Sequence, residues 1–519
     1  MTSSTVGPRR ILPLIVLWVV VAIELIAMLA LNGGKLMYTL DDPYIHLALA
    51  EHILGGHFGL NGAEASSPAS SILWPFLLAP FTALSMVEWV PLLLNILFAS
   101  ATLVGVQRSI GLALNGSASR FITLLTILAI PALNLVGLIF TGMEHSLQVL
   151  CAVYLVYWLL RAAGEGRSSK WLLFFIVLGP LVRYENAALS AAALAWLWLN
   201  GQRSRALLGA ALVAMGLLAY SFFLRGLGLP FLPTSVMAKS ASMAPEGGAK
   251  AMVYALYHNL ESTPGVLMSL AILALAATAT RRDRPVAEKH LALVMAGGLS
   301  LHLLVGRFGW YSRYELYAWS AGLLVVLYLW RDSIARVLSA QSMLKATLVC
   351  TVAVGIGCRE YVIVLGNNAL ASHNVYLQHY QMHRFATEFL AEPVAVNDLG
   401  WVAFQNESYV LDLWGLGSLA ALEARKGAED SSWIQPLADQ NNVRTAIVYD
   451  EWFDIMPAAW QRIGVLEMHV PRVTPAHSKV AFYAMNSDWA LELTGRLRRF
   501  EATLPEGASF TFDADRSTQ

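Results

Sequence analysis

The stretch Leu40–Leu54, LDDPYIHLALAEHIL, is the part of the sequence from which the organisation of the chain can be worked out. It places two adjacent carboxylates, Asp41 and Asp42, just after the first long apolar run and before an amphipathic segment. A charged pair at a membrane surface, followed by a helix that can lie along that surface, is typical of chemistry on lipid-borne substrates. This stretch therefore predicts a membrane setting for the chain.

The composition defines the broad class of protein. Of the 519 residues, 57% are hydrophobic and 13% are charged, and the mean hydropathy is +0.55. These values predict a polytopic α-helical membrane protein. The formal net charge of zero argues against a nucleic-acid partner. The three cysteines lie inside apolar runs and form neither a disulfide framework nor a metal cluster in the sequence pattern.

Apolar runs and basic gaps together predict the topology. Alternate gaps between the runs are rich in Arg and Lys, so the positive-inside rule places these gaps and the N-terminus in the cytoplasm. The first run is too long for a signal peptide and is interpreted as a retained anchor. We expect about eleven spans, near residues 11–31, 90–107, 121–140, 146–160, 171–182, 187–200, 206–224, 264–280, 290–306, 317–330 and 346–366.

Two segments do not fit a simple series of crossings. If residues 71–86 crossed the membrane, all later basic gaps would face outward, so we interpret this run as re-entrant or juxtamembrane within a first external loop, residues 32–88. The spans at 171–182 and 187–200 are too short to cross a hydrocarbon core of about 30 Å. Their connection, RYEN at 183–186, is therefore expected to be sunk below the outer surface, where it lines a cavity.

The composition changes after about Asn367. Short β-like runs at 394–398, 408–415, 445–450 and 479–485 alternate with helical or loop-like pieces. This pattern predicts a small α/β domain. We therefore predict a transmembrane catalytic domain at residues 1–366 and an extracytoplasmic α/β domain at residues 367–519.

The acid pair has two interpretations. In a cleft of low polarity, Asp41 or Asp42 could act as a general base, because a carboxylate can accept the proton of an attacking hydroxyl. Alternatively, an Asp before Pro43 fits the rules for a helix N-cap. One Asp suffices for a cap, so the second is left for function, and Asp42 is slightly favoured over Asp41 as the base.

Further polar residues occur at predicted external turns. Glu144 and His145, in TGMEHS, could orient an acceptor, and Glu144 could join Asp42 in holding a divalent cation. The alternative is that they cap the following span.

Three cations interrupt the scarcity of positive charge on the outer side: Arg183, Lys239 and Arg313. Fixed cations beside an apolar cavity suit a lipid phosphate, because they stabilise its charge as it leaves. Each of them alone could instead reach toward lipid headgroups.

The order of these motifs resembles the GT-C superfamily of polyprenyl-phosphate-sugar-dependent glycosyltransferases, especially the mycobacterial arabinofuranosyltransferase branch. The likeness covers nearly the whole chain, and its most specific parts are the double acid and the block from DLG to DLWGLG. The matching segments are DDPYIHLALAEHILGGHFGLNGAEASSPASSILWP, TGMEHSL, RYEN, LPTSVMAK, the RY of YSRYELY, and VAVNDLGWVAFQNESYVLDLWGLGS.

The resemblance implies a lipid-phosphate-sugar-dependent, inverting hexosyl- or pentosyltransferase in a bacterial inner or plasma membrane. It implies a catalytic acid at Asp41 or Asp42 and donor-phosphate contacts at Lys239 and Arg313, to which we add Arg183. The partners are then a polyprenyl-phosphate sugar, a glycan or glycolipid acceptor and membrane lipids. Related sequences divide between metal-dependent and metal-independent forms, so a divalent cation stays open. The expected acceptor or lining residues are Glu144, His145, His46, Tyr314 and Tyr184.

Two other classes of protein share some of these features. A secondary transporter has a similar number of spans, but it usually shows two related halves, which this sequence lacks. A polysaccharide ligase or polymerase that uses a diphosphate-linked donor is closer. Such an enzyme more naturally uses a His or Arg in a large late loop, whereas the acids here lie early in the chain.

Overall fold

The protein is represented by a computed structural model that describes residues 8–62, 64–114, 119–243, 248–339, 342–428, 430–453 and 456–513. The chain forms two compact units, each assembled from separate segments. The first, here called the helical unit, comprises Met1–Leu25, Leu92–Ala219 and Glu246–Asn367. The second, here called the α/β unit, comprises Ile26–Pro91, Tyr220–Pro245 and Asn368–Gln519.

The helical unit is built from apolar helices. Long runs rich in Leu, Ala, Val and Ile, with few charges, favour helices that are apolar around most of their circumference. The helices that lie wholly or partly in this unit are Pro8–Leu31, Trp89–Ala113, Ser119–Ala132, Leu135–Phe140, His145–Glu165, Lys170–Val182, Ala187–Leu199, Arg203–Gly226, Gly248–Glu261, Thr263–Ala279, Val286–Val305, Leu316–Leu329, Arg331–Ser339, Met343–Gly357 and Arg359–Leu377.

Several of these helices are suited to a membrane. Within the described part of the chain, four are long and apolar enough to cross one: Ile11–Leu31, Trp89–Ala113, His145–Glu165 and Arg203–Gly226. Counting each of two bent pairs as one span raises the number to six. The bent pairs are Met252–Glu261 with Thr263–Ala279, and Met343–Gly357 with Arg359–Leu390. These helices indicate a membrane protein, and the number of eleven crossings remains a prediction.

The two short helices expected around RYEN are present. Lys170–Val182 and Ala187–Leu199 each contain 13 residues, which corresponds to a length of about 20 Å. Arg183 is extended between them, and Tyr184–Asn186 forms a single 3-10 turn. The hydroxyl of Ser190 donates a hydrogen bond to the carbonyl of Ile176 at 2.8 Å, which ties the second helix to the first.

The α/β unit contains one sheet of six strands: β1 (Val394–Val396), β2 (Val410–Asp412), β3 (Thr445–Val448), β4 (Gln461–Met468), β5 (Lys479–Ala484) and β6 (Ala508–Phe512). Their order in the sheet is β2-β1-β3-β5-β4-β6. The pairs of β1 with β2 and with β3 are parallel, whereas β5 and β6 pair antiparallel to their neighbours. The runs predicted at 394–398, 408–415, 445–450 and 479–485 contain β1, β2, β3 and β5, and the C-terminal α/β fold is confirmed.

The helices of the α/β unit come from all three of its segments. They are Asp42–Leu54, Leu73–Leu78, Thr234–Met243, His379–Arg384, Gly400–Ala403, Leu419–Gly427, Ile434–Gln440 and Ser487–Glu501, with a π-helical turn at Phe385–Leu390 and 3-10 turns at Ala79–Phe81, Ser431–Trp433 and Asp450–Trp452. Leu73–Leu78, in the run interpreted as re-entrant or juxtamembrane, has six residues. At about 9 Å it is far shorter than a membrane core.

The early loop joins the sheet through hydrogen bonds. The side-chain amide of Asn61 donates to the carbonyl of Val410 at 3.0 Å, and its oxygen accepts from the Val410 N–H at 2.8 Å. Asn61 therefore pairs with the outer strand β2 as a strand residue would. Residues 26–91 consequently group with the C-terminal segment, whereas the sequence assigned residues 32–88 to the transmembrane domain. The boundary at residue 366 between a transmembrane and an extracytoplasmic domain remains a prediction.

The cap of helix Ser487–Glu501 offers a test of the fold of the α/β unit. Asn486 precedes this helix, and its side-chain oxygen accepts from the Trp489 N–H at 2.9 Å. We expect Asn486→Ala to cost about 1 kcal/mol, which lowers the Tm by ~2–4 °C. Asn486→Asp keeps the acceptor and should stay within one degree of wild type. Thermal unfolding of the purified protein measures both, and an equal loss in the two variants would contradict a capping role.

Candidate active site

The carboxyl ends of the parallel strands carry a group of polar side chains. Strand β1 lies between β2 and β3, so the chain leaves β1 toward one side and later returns to the other. In open α/β sheets, such a reversal leaves a crevice outside the carboxyl ends of the strands. Asp398 follows β1 and Tyr449 follows β3, and the Asn397 side chain accepts from the Tyr449 N–H at 3.0 Å.

His379 and Asp398 form the centre of this group. Nε2 of His379 lies 2.8 Å from Oδ2 of Asp398. The hydroxyl of Tyr449 lies 3.3 Å from the same carboxylate oxygen and 2.7 Å from Oε1 of Gln378. His379 is only 3% exposed, whereas the side chain of Asp398 is 28% exposed. The group is thus largely buried and is reached by solvent from the side of Asp398.

Asp41 belongs to the same group. Its carboxylate accepts from the Gly400 N–H at 2.6 Å and from the Trp401 N–H at 2.8 Å. Asp41, His379 and Asp398 each offer one potential ligand atom within 4.8 Å of the others. Burial is the main cause that raises the pKa of Asp41 to about 7; the charge of His379 opposes this rise and the charge of Asp398 adds to it.

Asp42 differs from Asp41 in its surroundings. Asp41 occupies the N-cap position of helix Asp42–Leu54, yet its side chain makes no capping hydrogen bond and is directed to the Gly400–Trp401 backbone instead. Asp42 opens the helix, is partly exposed and interacts electrostatically with His379. Four titratable side chains from three stretches of the chain, Asp41, Asp42, His379 and Asp398, therefore lie together. We call them the acid cluster.

The helix behind the acid cluster is held by aromatic packing. The rings of Tyr44 and Trp401 are 3.9 Å apart between centroids, and Tyr44 is fully buried. His46, a predicted lining residue, lies in the same helix and is 2% exposed. This packing fixes the start of the helix against the segment that binds Asp41.

Lys239 lies in helix Thr234–Met243 of the same unit, but its side chain falls outside the described part of the chain. The start of this helix is anchored on the polar turn of the first loop. The Thr234 N–H donates to the Ser67 hydroxyl at 3.0 Å, and the Ser235 hydroxyl donates to the Ala69 carbonyl at 2.8 Å.

The helical unit holds the other predicted residues around a buried arginine. Arg183 donates to Glu144 Oε1 at 2.6 Å and to Glu185 Oε1 at 2.7 Å. Arg183 is 4% exposed and Glu144 is fully buried, whereas Glu185 is 37% exposed. A buried guanidinium is therefore neutralised by two acids.

Tyr314 stands at the centre of this second group. Its ring lies 5.6 Å from the Arg183 guanidinium, 5.0 Å from that of Arg313 and 5.9 Å from the His145 ring. Arg313 is 1% exposed and donates to the Tyr314 hydroxyl at 3.1 Å. The structure thus brings together Glu144, His145, Arg183, Arg313 and Tyr314, with the partly buried Tyr184 next to Arg183 in the chain. We call these residues the arginine cluster.

The loop that carries Arg313 has an unusual backbone. Gly309, Trp310, Tyr311 and Ser312 all have positive φ angles, between 44° and 77°. Only glycine adopts this region without cost, and such outliers are concentrated at functional sites. The Ser312 carbonyl accepts from the side-chain amide of Asn134 at 3.1 Å, which helps to hold the loop.

Sequence reasoning did not assign roles to His379, Asp398 or Tyr449. The motif VAVND, which ends at Asp398, is one of the predicted strands and belongs to the resemblance, and a carboxylate at the end of a parallel strand is a usable signal. His379 gave no such signal, because it lies in a helical stretch with His373 and His383 nearby.

Part of the chain matches a known family, and its fold is similar to solved structures. A family model described as a domain of unknown function, DUF8728, matches residues 371–483, a segment that contains His379, Asp398 and Tyr449. No curated protein matches the chain.

Several solved structures are similar. The archaeal oligosaccharyltransferase AglB from Archaeoglobus fulgidus, in complex with an inhibitory peptide and a dolichol-phosphate, has a TM-score of 0.46 and 10% identity over 97% of this chain and 76% of its own. The apo crystal structure of the same enzyme has a TM-score of 0.43 and 11% identity, over 83% of this chain and 69% of its own. The arabinofuranosyltransferase AftD from Mycobacteria has a TM-score of 0.41 and 14% identity, over 94% of this chain and 42% of its own. Because the TM-scores are below 0.5, we argue the function from the residues of this chain.

Gly400 provides a test of how Asp41 is held. A Cβ atom at this position would lie 2.1 Å from the Asp41 carbonyl oxygen and 2.6 Å from its carboxylate. We expect Gly400→Ala to cost about 1–3 kcal/mol, because rigid backbone must move. Gly495→Ala is the matched control: nothing lies within 4 Å of its Cβ position in helix Ser487–Glu501, so it should stabilise by ~0.5–1 kcal/mol. Equal Tm values for the two variants would contradict the close approach.

The buried ion pairs of the helical unit can be tested at Arg183. Arg183→Ala removes the guanidinium that neutralises the buried carboxylate of Glu144, which should cost about 3–5 kcal/mol. The control is Arg281→Ala, which removes an exposed pair with Asp283 and should leave the Tm unchanged. Adding Glu144→Gln to Arg183→Ala should recover part of the loss, because it removes the stranded charge. Thermal unfolding in detergent distinguishes these outcomes, and similar Tm values for both arginine variants would be evidence against the ion pairs.

Proposed function

We propose that this protein is a membrane-embedded inverting glycosyltransferase. It transfers a sugar from a polyprenyl-phosphate donor to a hydroxyl group of a glycan or lipid acceptor, on the outer face of a bacterial inner membrane. The observation that carries the proposal is the acid cluster. Two adjacent carboxylates early in the chain meet His379 and Asp398 at the carboxyl edge of the parallel strands.

Asp42 is the base in this proposal. Both carboxylate oxygens of Asp41 accept hydrogen bonds from the backbone of Gly400 and Trp401, so Asp41 serves to fix the start of the helix. Asp42 is adjacent, is partly exposed and is carried on the same rigid helix. A general base needs a fixed position within hydrogen-bond reach of the hydroxyl that it deprotonates, and Asp42 meets the first of these requirements through Asp41.

The reaction is a single displacement. The acceptor O–H gives its proton to the Asp42 carboxylate while the acceptor oxygen forms a bond to the anomeric carbon. The bond between that carbon and the phosphate oxygen breaks, and the electron pair leaves with the polyprenyl phosphate. Attack from the side opposite the phosphate inverts the anomeric centre.

The donor phosphate is assigned to Arg313 and Lys239, with Arg183 as a third predicted contact. Buried guanidinium groups stabilise developing phosphate charge strongly, because the surroundings have a low dielectric constant. Arg313 is almost fully buried and packs against Tyr314. Arg183 is already paired with Glu144 and Glu185, so a phosphate that reaches it competes with two carboxylates.

The acceptor is assigned to the remaining polar residues. Glu144 and His145 are buried beside Arg183 and Tyr314, and we assign them, with Tyr184 and His46, to lining and orienting roles. The α/β unit is assigned to recognition of the glycan or lipid that carries the acceptor hydroxyl.

The experiment measures transfer from synthetic donors. Purified protein is given a panel of polyprenyl-phosphate-linked hexoses and pentoses, a matching diphosphate-linked panel and an extract of membrane glycolipids. We expect transfer from the monophosphate donors only. Asp42→Asn should lower kcat by about 10²–10⁴-fold, the usual contribution of a general base, while donor binding is kept.

Asp488→Asn is the matched control, because Asp488 also lies in the first turn of a helix in the same unit. It should retain wild-type turnover. Full turnover by Asp42→Asn would exclude this residue as the base. Transfer from diphosphate donors alone would instead support a ligase or polymerase.

A further inference from the structure

We propose that Asp41, His379 and Asp398 form a binding site for one divalent transition-metal ion of the Zn²⁺ or Mn²⁺ class. This triad differs from the pair Asp42 and Glu144, which the sequence suggested as possible cation ligands. The proposal concerns binding of an ion and does not depend on the glycosyltransferase assignment.

The geometry of the triad is close to that of a metal site. One atom from each of the three residues lies within 4.8 Å of the other two. Around a tetrahedral Zn²⁺ with ligand distances near 2.1 Å, neighbouring ligand atoms are ~3.4 Å apart. Shifts of about an ångström, within reach of side-chain rotation, bring the three atoms to that spacing.

The donor set selects the class of ion. One imidazole nitrogen and two carboxylate oxygens suit Zn²⁺, Mn²⁺ and similar ions, whereas Ca²⁺ and Mg²⁺ are bound mainly by oxygen. Three protein ligands leave at least one coordination position open, as in catalytic rather than structural zinc sites. The partial exposure of Asp398 gives a substrate oxygen or water a route to that position.

The electrostatics of the cluster favour a cation. Two carboxylates, Asp41 and Asp398, face a single imidazole, and Asp41 is 8% exposed and His379 3%. Two ionised carboxylates are costly to bury together without a cation. Asp42 adds a further negative charge close by. A divalent ion compensates these charges directly.

The surroundings hold the ligands as outer-shell partners do in metal sites. The N–H groups of Gly400 and Trp401 fix the carboxylate of Asp41, and the hydroxyl of Tyr449 lies 3.3 Å from Asp398. Such partners orient ligands and raise metal affinity. Nδ1 of His379 is buried and has no hydrogen-bond partner among the described residues, so the ring is committed only through Nε2, the nitrogen that faces Asp398.

The alternative use of the same residues requires no metal. A protonated His379 could bridge the two carboxylates as an ion pair. The two arrangements differ in a measurable way, because only the metal site binds Zn²⁺, Mn²⁺ or Co²⁺ with one-to-one stoichiometry and loses that binding when a ligand is changed.

The test uses the full-length protein, purified in detergent and stripped with a chelator. Titration with Zn²⁺ and Mn²⁺ by calorimetry should show one site, and saturating metal should raise the Tm. Loading with Co²⁺ should produce visible absorption bands of a tetrahedral or five-coordinate site. We expect His379→Gln and Asp398→Asn each to weaken binding by at least 100-fold and to abolish the Co²⁺ bands.

The controls separate loss of metal from loss of folding. His469→Gln and Asp439→Asn change exposed residues of the same unit and should bind metal as wild type does. The Tm of each triad variant without metal, compared with that of stripped wild type, reports its folding. Absence of binding to folded wild type, or unchanged binding to both triad variants, would overturn the proposal. If the wild type and the triad variants bind several ions with equal affinity, the binding is that of an adventitious ion only. This result also overturns the proposal.

Discussion

The two hydrogen bonds from the Gly400 and Trp401 backbone to Asp41 are the interaction on which the candidate active site depends. They join a residue of the first loop to the segment after β1, across more than 350 positions of sequence. Each hydrogen bond to a charged group contributes about 1.5–3 kcal/mol, which offsets part of the cost of burying the carboxylate. Glycine is required at position 400, because a side chain there would occupy the place of Asp41.

Several features follow from this contact. The Trp401 ring is placed against Tyr44, which orients the helix that begins at Asp42. The same contact places Asp41 near His379 and Asp398, so the acid cluster lies where the parallel strands end. The arginine cluster of the helical unit satisfies its buried charges differently, by direct pairing of Arg183 with Glu144 and Glu185. Backbone donors fix Asp41 in one unit, and carboxylates fix Arg183 in the other.

The sequence predicted the elements better than it predicted their grouping. The length of the apolar runs located many of the helices, including the short pair around RYEN, and short β-like runs located four of the six strands; the runs at 121–140 and 346–366, predicted as single spans, are each divided into two helices. Strands β4 and β6 were missed, since the burial of β4 is continuous over four residues rather than alternating, and β6 has only five residues and follows a helix. Local patterns also could not show that residues 26–91 and 220–245 pack with the C-terminal segment, because hydrogen bonds such as that of Asn61 with Val410 depend on three-dimensional proximity.

The candidate residues show the same limit. Adjacent aspartates before a proline suggested one cap and one functional acid. The structure gives Asp41 a different partner, the Gly400–Trp401 backbone, which no capping rule predicts. Five of the six residues singled out in the helical unit do lie together: Arg183, Arg313 and His145 surround Tyr314, and Glu144 binds Arg183. Each of the five lies at the end of a packed helix or in a turn between helices. His379 could not be predicted as a site residue. It lies in a helix without a recognisable motif, and its proximity to Asp41 is a contact between residues far apart in sequence.

A cryo-EM structure of the protein with a non-transferable polyprenyl-phosphonate sugar and an acceptor analogue bound would test directly whether Asp42 is the base. We expect the acceptor hydroxyl to lie about 2.6–3.2 Å from the Asp42 carboxylate and about 3–3.5 Å from the anomeric carbon, opposite the phosphonate. Binding of both analogues at a place remote from Asp42, with the acid cluster in contact with neither, would contradict this role of Asp42.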